Sequence, residues 1–353
     1  MEHLIPSQLF EAQPLWLLLG CVAISVAVLG RGADWLVEGA SNLAVDLGMP
    51  KVIIGATIVS LGTTSPECAV SVMAAWSGEP GLALGNAVGS IIADSGLIFG
   101  LGCAWAVLPA DRFVLNRQGW VQVGAGVLLA LLCYGAYLVS GPEASLGSRT
   151  GLLMIVLLGA YLFVSIHWSR EHPEGTTFVL DQENGASGVS ATTLFLPLVM
   201  VSTGLVFVIV ASHVLVQSVS EIAVQIGVPK LVIAGTLVAF GTSLPELVVG
   251  MTSIRKGHPE LLVGTVIGAD ILNVLFVIGA SALAAPLPIF EPQASVPHVF
   301  LLIHLPAMLT VLLIFRLSIV AAVRKGHFDR WMALPLLATY IGYVVIQFVI
   351  TTR

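Results

Sequence analysis

The chain has 353 residues, 57% of them hydrophobic and only 10% charged, with a formal net charge of −6. A soluble domain carries about 25% charged residues, so the composition excludes an ordinary soluble globular protein: the surplus apolar surface has to face lipid. The slight acidity identifies no partner, and nothing points to nucleic acid or to an obligatory protein partner.

A membrane span needs about 20 apolar residues. On that measure the chain predicts ten helices, at 14–36, 50–76, 81–108, 119–139, 150–167, 193–222, 229–254, 259–285, 296–315 and 330–350. The first follows "MEHLIPSQLFEAQ", which lacks a basic n-region, so it reads as a span and not a removable signal. The one long polar stretch, within 169–192, divides the spans five and five and reads as a solvated linker between a first unit, 1–168, and a second, 193–353. Lys51, Arg112, Arg117, Arg170, Arg255, Lys256, Arg316, Arg324, Lys325 and Arg330 fall on one side of this plan, and Arg149, Lys230 and Arg353 on the other. The positive-inside rule makes the first group cytoplasmic and both termini external. Cys21, Cys68, Cys103 and Cys133 lie in apolar stretches and read as packing residues. His213 and His304 stand alone in their spans and read as packed or pore-side residues.

The chain also repeats itself. Shifted by 179 residues, 48–94 aligns on 227–273 without a gap. "GTTSPE" at Gly62–Glu67 meets "GTSLPE" at Gly241–Glu246, and Gly78, Pro80, Gly85 and Gly89 meet Gly257, Pro259, Gly264 and Gly268. Five spans per unit is an odd number, so the second unit enters the bilayer from the opposite face. The expected fold is therefore all-α, two inverted-topology repeats of five helices with helices 2 and 7 broken, an architecture of secondary transporters.

Each break carries its own chemistry. Proline lacks an N–H and clashes with the carbonyl four residues back, so Pro66 and Pro245 disrupt the ladders around Gly62 and Gly241. In lipid such groups persist where they line a cavity or meet a cation. Thr63, Thr64, Thr242 and Ser243 add hydroxyls at the breaks, and Glu67 and Glu246 add a carboxylate just past each proline. Asp94 lies 27 residues after Glu67, and Asn273 lies 27 after Glu246. The glycines at 85, 89, 264 and 268 permit close helix approach and predict that helices 3 and 8 pack on the broken helices. These donors are all hard oxygens, suited to Ca²⁺ and Na⁺ and not to Zn²⁺ or Cu⁺. Two unpaired carboxylates in mid-bilayer repel each other; a bound cation removes that cost.

Both repeats resemble the α-repeats of the sodium/calcium exchanger superfamily: "GTTSPE" and "GTSLPE" match its helix-break motif, and the "GNAVG" and "GTVIG" segments its second element. The resemblance implies exchange of several Na⁺ for one Ca²⁺ in a prokaryotic-type plasma or inner membrane, without cofactor or catalysis. It implies that Glu67 and Glu246 bind both ions in turn, that Thr63, Thr64, Thr242 and Ser243 complete the sites, that the carbonyls of Ser60 and Ala239 serve Na⁺, and that Asp94 and Asn273 hold the central acid/amide positions. The family's "GSN" triplet reads "GSI" at Gly89–Ile91 and "GAD" at Gly268–Asp270, so Asp270 is an extra acid, either supporting the ligands or tuning ion choice. H⁺-coupled or K⁺-dependent exchange through the same carboxylates is the alternative. A channel fits inverted repeats less well, and an intramembrane aspartyl protease needs a pair of aspartates where the matched acids here are Glu.

Overall fold

The computed structural model describes residues 9–11, 13–78, 80–171, 191–226, 239–290 and 299–351. The linker expected within 169–192 and the first half of the span expected at 229–254 lie largely outside them.

The order is α1 (Leu15–Leu47), α2 (Lys51–Thr63), α3 (Ser65–Trp76), α4 (Pro80–Trp105), β1 (Leu108–Pro109), α5 (Arg112–Ser140), β2 (Ser145–Leu146), α6 (Ser148–Glu171), α7 (Ala191–Gln225), α8 (Ala239–Thr242), α9 (Leu244–Arg255), α10 (Pro259–Ala284), β3 (Leu287–Pro288), α11 (Phe300–Lys325), β4 (His327–Phe328) and α12 (Ala333–Thr351). Among the described residues, eight helices are long and apolar enough to cross a membrane, and the pair α2–α3, bent by 41°, makes a ninth. The protein is an all-α, multi-span integral membrane protein.

Several helices outrun the apolar windows that predict them. α1 continues to Leu47 instead of residue 36, where Gly48 at φ 62° turns the chain and donates back to the carbonyls of Ala44 and Val45. α5 starts at Arg112 instead of 119 because Asp111 caps it, its carboxylate accepting from the Val114 amide at 2.7 Å. α11 continues to Lys325 instead of residue 315. Hydropathy reports where a helix meets lipid, whereas caps decide where it ends.

α10 is the hub. Its span is buried almost throughout, and it packs on α2, α9 and α5. The expected close approach of helix 8 to helix 2 is seen here: a Cβ on Gly264 would lie 2.1 Å from the Val52 carbonyl oxygen, and one on Gly268 2.4 Å from that of Ala56. No described atom lies within 4 Å of such a Cβ at Gly85 or Gly89, so those two mates show no comparable contact among the described residues. α1 and α7 pack along each other at the periphery. Two short antiparallel ribbons, unforeseen in the sequence, tie distant loops: Leu108 pairs with Phe328 and Pro109 with His327, while Ser145 pairs with Pro288 and Leu146 with Leu287.

Candidate cation site

The two motifs build the same local structure. α2 stops at Thr64 (φ −81°, ψ −7°) and α3 starts anew at Ser65; α8 stops at Ser243 (φ −90°, ψ 7°) and α9 starts at Leu244. Pro66 and Pro245 thus sit in the first turn of a fresh helix, where no intrahelical amide bond is lost. Glu67 and Glu246 fall in that first turn, each carboxylate reaching its own backbone N–H at the positive end of the helix dipole.

The second element also repeats. α4 and α10 each switch to π-helical winding, at Ala93–Ile98 and Asn273–Ile278, with Asp94 in the first turn of one and Asn273 opening the other. Such single π-turns recur at functional sites because they interrupt the regular ladder.

These elements meet in the interior. Glu67, Glu246, Asp94, Asn273, Thr63, Thr64, Thr242, Ser243 and Ser60 are all buried. The Thr63 and Thr64 hydroxyls face the Glu246 carboxylate. Glu246 lies within electrostatic reach of Glu67, and Asp94 within reach of both. Ser243 Oγ is 3.5 Å from Ser90 Oγ, and Thr242 Oγ1 is 3.4 Å from the Asn86 amide oxygen, whose nitrogen donates to Ser71 at 3.1 Å. The Ser60 carbonyl accepts from the Thr64 amide at 2.8 Å and from the Thr63 hydroxyl at 3.3 Å. Ala239 opens α8, and its side chain lies outside the described residues.

The chemistry of this cluster is one-sided. Among the described residues, Thr64 Oγ1, Glu67 Oε2, Asp94 Oδ1, Glu246 Oε2 and Asn273 Oδ1 are buried without a hydrogen-bond partner. Among the described residues the ion pairs lie elsewhere, as in Lys51–Glu260, Arg255–Asp34 and Lys256–Glu38. A buried, unsatisfied oxygen costs about 1–3 kcal/mol, and more when charged. Among the described residues no three Asp, Glu, His or Cys side chains close around one point as a metal cage. A cation held here would draw on hydroxyl, amide and carbonyl oxygens as well as carboxylates, a donor set of the kind that suits Na⁺ and Ca²⁺.

Sequence reasoning left Asp270 undecided between two roles. In the structure it meets side chains that the motifs do not contain: its Oδ2 accepts from Gln122 Nε2 at 2.6 Å and from the Ser95 hydroxyl. The available signal was Gln118 and Gln122, two amides one turn apart on α5; both are buried. Of the two lone histidines, His304 bonds Tyr343 at 2.7 Å and His213 is buried.

Fold and site together define a polytopic helical membrane protein with a carboxylate-lined oxygen cluster between broken helices. The sequence model of the sodium/calcium exchanger proteins matches residues 17–167 and 196–349, and the chain belongs to that family. It is 30% identical to the sodium/calcium exchanger MaX1 of Methanosarcina acetivorans over 95% of this chain and 98% of that one. It is 31% identical to the putative antiporter CaxA of Alkalimonas amylolytica over 75% and 80%. A solved structure of the sodium-calcium exchanger NCX_Mj soaked with Na⁺ and Sr²⁺ superposes with a TM-score of 0.75 at 25% identity, covering 94% of this chain and 99% of that one.

Proposed function

We propose that this protein is a secondary antiporter that exchanges Na⁺ for Ca²⁺ by alternating access across ten spans in two inverted repeats. Glu67 and Glu246 bind both ions in turn. Asp94, Asn273, the hydroxyls of Thr63, Thr64, Thr242 and Ser243, and the carbonyls of Ser60 and Ala239 complete the donor set. The observation that carries this reading is the cluster of buried carboxylate oxygens at two repeat-related helix breaks, unpartnered by any cationic side chain among the described residues.

Charge sets the mechanism. One Ca²⁺ offsets the two Glu, and Na⁺ ions taken up in its place restore a similar total charge. Either load lets the site change its access, while an empty site leaves like charges facing each other in low dielectric. If more Na⁺ charge enters than Ca²⁺ charge leaves, each cycle is driven by the membrane potential at about 2.3 kcal/mol per elementary charge per 100 mV. The test is ⁴⁵Ca²⁺ uptake into proteoliposomes under imposed Na⁺, K⁺ or H⁺ gradients. The Na⁺ gradient should drive uptake and voltage should modulate it. Uptake under a pH gradient without Na⁺, with no response to Na⁺, overturns the assignment of the coupling ion.

A further inference from the structure

Asp270 lies outside the repeat-matched ligand set. Its counterpart in the first unit is Ile91, a fully buried apolar side chain. The duplicated fold therefore packs this position without charge, and the packing of α10 does not call for a carboxylate. Asp270 is nonetheless 2% exposed, and its bonded partners are the neutral donors Gln122, from α5, and Ser95, from the π-turn of α4. Gln122 Nε2 also reaches Ser95 Oγ at 3.3 Å. Both donors go to one carboxylate oxygen, Oδ2, leaving Oδ1 unbonded along with Gln122 Oε1 and Asp94 Oδ1. Asp94 lies within electrostatic reach of Asp270. Three helices thus meet at Asp270, and Asp270 Oδ1, Gln122 Oε1 and Asp94 Oδ1 have no hydrogen-bond partner among the described residues, around a charge that no described cationic side chain pairs.

We propose that Asp270, Gln122 and Ser95 form a monovalent cation site for Na⁺, beside the central cluster and joined to it through Asp94. One carboxylate supported by an amide oxygen and a hydroxyl matches a single positive charge and hard-oxygen coordination. It offers too little negative charge for a divalent ion unless Asp94 is withdrawn from the centre. The site belongs to one half of the chain alone, since Gln122 falls on Leu301 under the 179-residue shift. It deepens the exchange reading by adding a Na⁺ position that the two repeats do not share.

Equilibrium ²²Na⁺ binding to the purified protein in lipid nanodiscs tests this without requiring transport. Asp270→Asn should lower the Na⁺ capacity at saturation and the Hill coefficient for Na⁺, with ⁴⁵Ca²⁺ binding retained. Gln122→Leu, which keeps the charge and removes an amide oxygen, should weaken Na⁺ affinity at unchanged capacity; both variants are checked for monodispersity and melting temperature. Wild-type Na⁺ capacity in folded Asp270→Asn overturns the proposal. So does a variant whose only change is the pH dependence of ⁴⁵Ca²⁺ binding, because Asp270 then holds a proton and not Na⁺. Proteoliposomes without Na⁺-driven flux would sink the exchange reading, while an Asp270-dependent Na⁺ capacity would leave this site standing.

Discussion

The Thr64 hydroxyl, at the break that ends α2, faces the carboxylate of Glu246 in the first turn of α9. Residues 182 apart are thereby joined at one point. The first break thus meets the carboxylate of the second motif, while Thr242 and Ser243 of the second break meet Asn86 and Ser90 of α4.

Glu67→Gln and Glu246→Gln should each reduce ⁴⁵Ca²⁺ exchange by at least about a hundredfold, since removing one partner of a buried charge arrangement costs about 3 kcal/mol or more. Asp94→Asn should retain more activity, because it keeps an oxygen and reproduces the amide of Asn273. Vesicle uptake on protein of matched expression decides it, and robust exchange in either Gln variant removes these residues from the site.

Gly268→Ala should destabilise the protein by about 1–3 kcal/mol, the usual cost of overpacking, and Gly264→Ala by at least as much. Both would drive a methyl group into α2 backbone. Gly124→Ala, on the exposed face of α5 with no described atom within 4 Å, is the control and should leave the melting temperature in detergent unchanged. Equal melting temperatures for all three would show that α10 and α2 do not need this approach.

Sidedness follows from the ribbons. The loops carrying β1 and β4 are paired, as are those carrying β2 and β3, and the ten-span plan puts the first pair in the cytoplasm and the second outside. Single cysteines at Lys325 and Glu143, both exposed, in a background lacking the four native cysteines, should be labelled from opposite faces by an impermeant thiol reagent. Labelling of both from one face contradicts the plan.

His258, in the turn before α10, lies with its Nδ1 2.8 Å from Lys51 Nζ. Partial burial first, and then the Lys51 ammonium, push this imidazole below its ordinary range. An unfolded histidine titrates near pH 6.5, so the folded state resists a proton that the unfolded state accepts. The associated stability is full above about pH 6.5 and declines as pH falls from there through the lowered folded value. Wild-type protein should therefore lose more melting temperature between pH 7.5 and about 5.5 than His258→Asn does; parallel pH profiles would exclude His258 as the source.

The breaks, the two Glu and the family were legible because the 179-residue repeat prints each feature twice. The partners of Asp270 escaped the sequence because they have no second copy. Gln122 and Ser95 engage Asp270 only once α4, α5 and α10 have packed, and the local pattern of α5 carries no trace of that partner beyond its paired amides. The ribbons escaped because two-residue strands such as Leu108–Pro109 have too few positions to alternate. Helix ends escaped where Asp111 or Gly48 extends a helix beyond its apolar window.

α1 has 33 residues and α7 has 35, and at 1.5 Å per residue each is about 50 Å long, against a hydrocarbon core of about 30 Å. Helices of that length fit a bilayer by tilting or by reaching past its hydrocarbon core. Through Asp34 and Glu38, α1 is tied by charge to Arg255 and Lys256 at the end of α9, the helix that begins with Leu244 and carries Glu246 in its first turn. A change in bilayer thickness that altered the tilt of α1 would therefore reach α9 through these ion pairs.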